Sequence, residues 1–160
     1  MTDEYVAQRY AHLRRAAFLM CGDWARAGES ARLTLARALT DPGVGADAGD
    51  LDLWAYADLM AAFKPGHSRR EHVFVAPAAA GYDDAQAALR DTYTVLVLDA
   101  LRRLPPKCRA VLVLHHFCHL AVAETADVLG LDGNKVTEYE AEGLQAFQEL
   151  LRAGQPVAGR

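Results

Sequence analysis

The sequence predicts an all-α protein, two small helical domains joined by a linker. Three observations predict it. Apolar residues recur at steps of three and four over two long stretches, the spacing that lines one face of a helix. Gly and Pro punctuate those stretches at helix-length intervals. Between the stretches lies a segment, 64–82, rich in Gly, Pro and Ala. The expected division is a first domain at 1–63, the linker at 64–82, a second domain at 83–153 and a tail at 154–160.

The elements follow in order. Val6, Tyr10, Leu13, Ala17 and Met20 stripe a first helix, and Gly22-Asp23 turns the chain. Ala27, Ala31, Leu35 and Leu39 stripe a second, which Asp41-Pro42-Gly43 stops. Residues 41–50 read as a loop. Leu53, Tyr56, Met60 and Phe63 mark a third helix, closed by Pro65-Gly66. Within the linker, Val73-Phe74-Val75 reads as extended chain docked on a helix, because a lone strand has no partner. Asp83-Asp84 caps the next helix, whose stripe is Leu89, Tyr93, Leu96, Ala100 and Leu104. Pro105-Pro106 ends it. A helix over 107–119 and a short one over 122–129 follow, the latter stopped by Gly130. A last helix runs over 133–153 with Val136, Leu144, Phe147 and Leu151 inward.

Composition narrows the function. No apolar run approaches the roughly 20 residues of a membrane helix, and the first residues lack the pattern of a secretory signal. A cytoplasmic, soluble protein with no membrane partner is expected. Cys21, Cys108 and Cys118 are odd in number and widely spaced, which favours buried thiols over a disulfide framework. The net charge is −4, unevenly spread. The first 40 residues and 94–120 carry a basic excess, whereas 41–93 and 121–160 are acidic.

Residues 120–151 carry the most specific pattern. A short amphipathic helix ends in Gly130, a few residues turn, and a longer helix follows with Val136 inside it. A small Ala at the crossing, a Gly at the turn and an apolar residue in the second helix are helix-turn-helix spacing. The stretch before it, Leu104-Pro105-Pro106-Lys107-Cys108-Arg109-Ala110-Val111-Leu112, resembles the "Leu-Pro-Pro-x-x-Arg-Ala-Val-Leu" entry of a sigma-factor domain. That domain reads the −35 promoter element in the extracytoplasmic-function group of RNA polymerase sigma factors. With Val122-Ala123-Glu124-Thr125-Ala126 and Val128-Leu129-Gly130, the resemblance covers residues 94–151. A second likeness covers 5–63, where Tyr10 to Asp23, Ala27 and Leu35-Ala36-Arg37-Ala38 are similar to the group's polymerase-binding, −10-reading domain.

The resemblance implies two helical domains that clamp core RNA polymerase. The first would open promoter DNA and the second would set its last helix in a major groove. It implies no catalysis and no cofactor. The residues at the DNA-reading positions are Lys135, Thr137, Glu138 and Tyr139, with Arg69 and Arg70 at the basic end of the promoter-melting region. Glu29 and Arg32 fall where the group touches the polymerase.

The sequence departs from the group at these positions. Thr137 and Tyr139 stand where it carries Lys and Arg. From Asp132 to Glu149 there are five acids and one base, Lys135. Groove affinity normally comes from Lys and Arg displacing counterions from phosphates. In the first domain, Arg32 replaces a Gln, and Ala57-Asp58 follows the aromatic anchor Trp54-Ala55-Tyr56 where paired bases are usual. Two readings result. One is a sigma-factor-like regulator with core RNA polymerase and promoter DNA as partners. The other is a degenerate sigma-like module that binds an anti-sigma factor or another regulatory protein and has little direct DNA affinity.

Other residues carry less. His115, Cys118 and His119 suggest a metal cluster by helical spacing, but four ligands are not apparent, so no metal is expected. Arg102, Arg103, Lys107 and Arg109 form a basic patch facing DNA, polymerase or solvent. Trp24 and Trp54 read as core or interface anchors. No phosphate loop, nucleophile-base pair or catalytic residue is evident, so no enzyme is expected.

Overall fold

A computed structural model describes residues 3–41, 43–44, 48–64 and 92–154. Among them the chain is all-helical, with seven helices and no strand. The first block holds α1 (Asp3–Cys21), α2 (Trp24–Thr40) and α3 (Ala48–Ala61). The second holds α4 (Thr92–Arg103), α5 (Pro106–Leu112), α6 (Val122–Leu129) and α7 (Gly133–Gly154). Three helices therefore precede residue 64 and four follow residue 82 among the described residues, as the periodicity predicts. Apart from Lys64, the linker, its Val73-Phe74-Val75 patch and the Asp83-Asp84 cap lie outside the described residues.

The joints follow from local chemistry. Gly22 ends α1 with φ 70°, a left-handed conformation that costs glycine little, and its N–H donates to Phe18 O at 2.7 Å. Asp23 then caps α2 by accepting the Arg26 N–H at 3.1 Å. Pro105 and Pro106 separate α4 from α5, Pro106 filling the first helical position where no N–H is missed. α3 begins at Ala48, slightly inside the expected loop.

The main core crosses between the blocks. Leu13, Phe18, Leu59 and Met60 of the first pack with Leu98, Val113, Leu114 and Cys118 of the second in one buried cluster. Arg109 adds a polar link. Its guanidinium donates to Met20 O at 2.7 Å across the junction. In its own block it reaches Leu101 O and Arg102 O at 2.7 Å and Leu104 O at 3.1 Å. These carbonyls lie at the ends of α1 and α4 and at the joint just after α4, where intrahelical N–H donors run out; the Leu101 carbonyl also accepts the Leu104 N–H at 3.2 Å. His12 of α1 makes a third link by stacking on Phe117, 5.1 Å between ring centroids. Within the first block, Asp58 of α3 accepts from buried Thr34 at 2.7 Å and from Arg37 of α2 at 2.6 Å.

Two expectations differ. Leu39, placed on the inward stripe of α2, is 53% exposed, and Leu33 is 46% exposed. The helix expected over 107–119 also ends early. After Leu112 it widens over Val113–Phe117. The Cys118 N–H reaches back five residues to Val113 O at 3.0 Å, and the Leu120 N–H reaches Leu114 O at 3.1 Å. His119 then takes φ 58°, outside the helix. All three cysteines are free and buried, as expected. Burial pushes the Cys21 thiol up to about 11 and the Cys118 thiol up to about 12. No helix among the described residues is long and apolar enough to cross a membrane.

Candidate nucleic-acid interface

The helix-turn-helix is α6 followed by α7. The Ala121 N–H, just before α6, donates to the Glu124 carboxylate at 2.9 Å, half of a capping box. At the other end Gly130 has φ 64°. The Leu131 N–H returns to Ala126 O at 2.9 Å and the Gly130 N–H to Asp127 O at 3.3 Å, a Schellman ending. Asp132 starts α7, its side chain accepting the Asn134 N–H at 3.0 Å. Val136 is fully buried against Val111 and Ala126, with Val122, Leu129, Leu131 and Tyr139 around them. This small core fixes the crossing of the two helices. Leu144 and Phe147 lie elsewhere, against Leu101, Leu104 and Leu112. The inward residues of the second block are thus shared among three clusters, Leu114 belonging to the main core.

Further along, α7 meets α5 at Gly143, where an added Cβ would lie 3.2 Å from Cys108 Cβ and 3.3 Å from Leu112 Cδ1. Only a residue without a side chain allows this approach undisturbed.

The packing decides which residues of α7 face outward. Lys135, Thr137 and Glu138 are exposed. Lys135 Nζ lies 3.1 Å from Glu138 Oε2, so the first base on the helix is paired with an acid of the same helix. That pair holds the Lys135 ammonium above its ordinary pKa. The Thr137 hydroxyl donates to Gly133 O at 3.1 Å, one turn back. Tyr139 is half-buried and belongs to the helix-turn-helix core, with Lys107 Nζ 5.8 Å from its ring centroid. Glu142 is exposed. Glu140 is not presented outward with Glu138 and Glu142. Its Oε1 lies 3.2 Å from both His115 Nε2 and His116 Nε2, at the widened end of α5.

The basic patch is largely engaged. Arg102 and Arg103 both pair with Asp99, at 2.8 and 3.1 Å, and Arg109 is turned onto backbone carbonyls. Arg69 and Arg70 lie outside the described residues. On α2, Glu29 and Arg32 are exposed beside Leu33, giving a mixed charged and apolar outer face. The apolar part of this face was not legible, because leucine reads as core in any amphipathic pattern.

The histidine-cysteine cluster does not assemble as its helical spacing suggests. Cys118 is buried in the main core with Tyr56. His119 is carried away by its left-handed backbone. The group that does converge is His115, His116 and Glu140, their ligand atoms within 4.8 Å of one another. Sequence reasoning missed Glu140 because the widened turn, which redirects the histidines, leaves no periodic signal.

Residues 94–137 match the family model described as Sigma-70, region 4. The matched segment runs from α4 through the first turn of α7, so it covers the turn and the buried Val136. No curated protein matches the chain.

Proposed function

We propose that this chain is a sigma-factor-like regulator of transcription initiation, of the extracytoplasmic-function type, which associates with RNA polymerase and recognises promoter DNA within that complex. The observation that carries the reading is the match to Sigma-70, region 4 across a capped helix-turn-helix with its inner contacts in place. In this reading the exposed face of α2, with Glu29, Arg32 and Leu33, is the polymerase contact. Lys135, Thr137 and Glu138 are the groove-facing residues of α7. Tyr139 contributes mainly by holding α7 on α5 and α6. No catalytic step is assigned to the chain.

One observation favours a second reading, a sigma-like module that binds protein. The outward residues of α7 include Glu138 and Glu142, and its nearest base is paired internally. Such a face repels phosphates and suits a basic partner surface, as on an anti-sigma factor or another regulator. A pull-down of core RNA polymerase on the full chain, followed by addition of promoter DNA, separates the readings. Polymerase retained with a DNA-dependent supershift supports the first. Polymerase retained without DNA engagement supports the second, and failure to retain polymerase removes the first.

A further inference from the structure

His115, His116 and Glu140 meet where the end of α5 faces α7. The site depends on the irregular backbone. In a regular α-helix consecutive side chains diverge by about 100°. The wider turn over Val113–Phe117 reduces that divergence, and such turns recur at functional sites. The two imidazoles stand nearly perpendicular, 85°, with centroids 4.8 Å apart. Both aim Nε2 at the same atom, Glu140 Oε1, each at 3.2 Å.

The protonation pattern is partly fixed. His115 Nδ1 lies 2.8 Å from Leu120 O. A carbonyl only accepts, so Nδ1 must carry the hydrogen. In neutral His115 the Nε2 lone pair then points at an anionic oxygen, which is repulsive unless a positive species lies between them. An imidazole anchored through its far nitrogen to a backbone carbonyl, with its near nitrogen facing a carboxylate, is the arrangement seen around protein-bound transition metals.

We propose that His115 Nε2, His116 Nε2 and Glu140 Oε1 bind one zinc-class divalent cation, with solvent in the fourth position. Bonds of about 2.0–2.1 Å in a tetrahedron place neighbouring ligands roughly 3.3 Å apart. The two histidine–carboxylate separations, 3.2 Å each, match that edge, and all three ligand atoms lie within 4.8 Å of one another. Two imidazoles and one carboxylate suit zinc, whereas magnesium and calcium prefer all-oxygen sites. His116 is 51% exposed and Glu140 20%, so the site has both an entry path and a partly shielded carboxylate. The ion would tie α7 to the end of α5 and neutralise Glu140. This inference stands independently of the transcriptional reading.

The test is competition for zinc between the full chain and a chromophoric chelator, in excess magnesium. One zinc per chain is expected. Glu140→Gln and His116→Ala should each weaken binding at least tenfold, with helical circular dichroism unchanged. His119→Asn, which tolerates the left-handed backbone, should bind like the parent. Cobalt in place of zinc should give tetrahedral visible bands without the thiolate charge-transfer band that Cys118 would add. The proposal is overturned if the parent holds no stoichiometric zinc, which leaves a proton as the bridging charge. It is also overturned if both ligand variants bind unchanged, or if His119→Asn loses the site.

Discussion

His12 shows how a single side chain couples packing to protonation. Its ring lies against Phe117 and meets Tyr56 edge-on at 5.8 Å. Burial pushes its pKa below the ordinary 6.5, and the charges of Arg9, Arg15 and His119 push it the same way. The folded state therefore resists a proton that the unfolded chain accepts. Stability contributed by neutral His12 is full above about pH 6.5, the unfolded value, and falls as pH drops toward the folded pKa. His12→Phe keeps an aromatic ring in the stack and removes the proton site. Urea midpoints across pH 5–8 should fall less steeply on the acid side for the variant than for the parent. Parallel curves would mean that His12 does not titrate differently on folding. Arg109 and Glu140 are the residues whose roles were least legible at this scale. Charged side chains look alike in a sequence whether they face solvent, phosphates or a neighbouring helix. Arg109 is turned onto four carbonyls and Glu140 onto two histidines only because of packing that periodicity does not encode.

At the scale of the helices, charge on α7 decides what the helix-turn-helix can touch. The alternation of acids at 138, 140 and 142 suggests that no docking rotation turns all three away from phosphates. The fold turns Glu140 onto the histidines, leaving Glu138 and Glu142 outward. The full chain should bind duplex DNA weakly near physiological salt. Replacing Glu138 and Glu142 together by Lys removes two repulsive charges, releases Lys135 from its pair and adds two bases. Affinity should rise, and the slope of log K against log salt should steepen by about 0.9 for each further phosphate that is neutralised. Glu140→Gln should do much less. Anisotropy of labelled duplex across a salt series reads all three, and tight, sequence-selective binding by the unaltered chain would defeat the prediction. The helices themselves were largely legible, since their ends depend on local chemistry. Pro105-Pro106, Gly22 and Gly130 act where they stand, whatever packs above them. The widened turn after Leu112 and the outward Leu39 were not, because each is settled by contacts with other helices.

At the scale of the whole molecule, the main core runs from α1 and α3 into α4, α5 and the turn beyond it. Leu114 has no exposure and Arg109 bridges the helix ends of both blocks. Separating the blocks would expose apolar surface on each and leave Met20 O without its guanidinium donor. The described blocks should therefore unfold together. The sequence offers a direct readout, because both tryptophans, Trp24 and Trp54, lie in the first block. Their fluorescence reports that block alone, whereas helical circular dichroism reports both. In urea the two signals should trace one coincident transition, the signature of two-state behaviour. Substitutions in the second block should move the tryptophan signal as far as the dichroism. Leu114→Ala should cost about 2–5 kcal/mol, the range for emptying a buried leucine site. Arg109→Ala should cost about 2–4 kcal/mol, since carbonyls at two helix ends lose a charged donor. A tryptophan transition that stays put while the dichroism splits into two steps would show that the blocks fold independently and that their shared core contributes little.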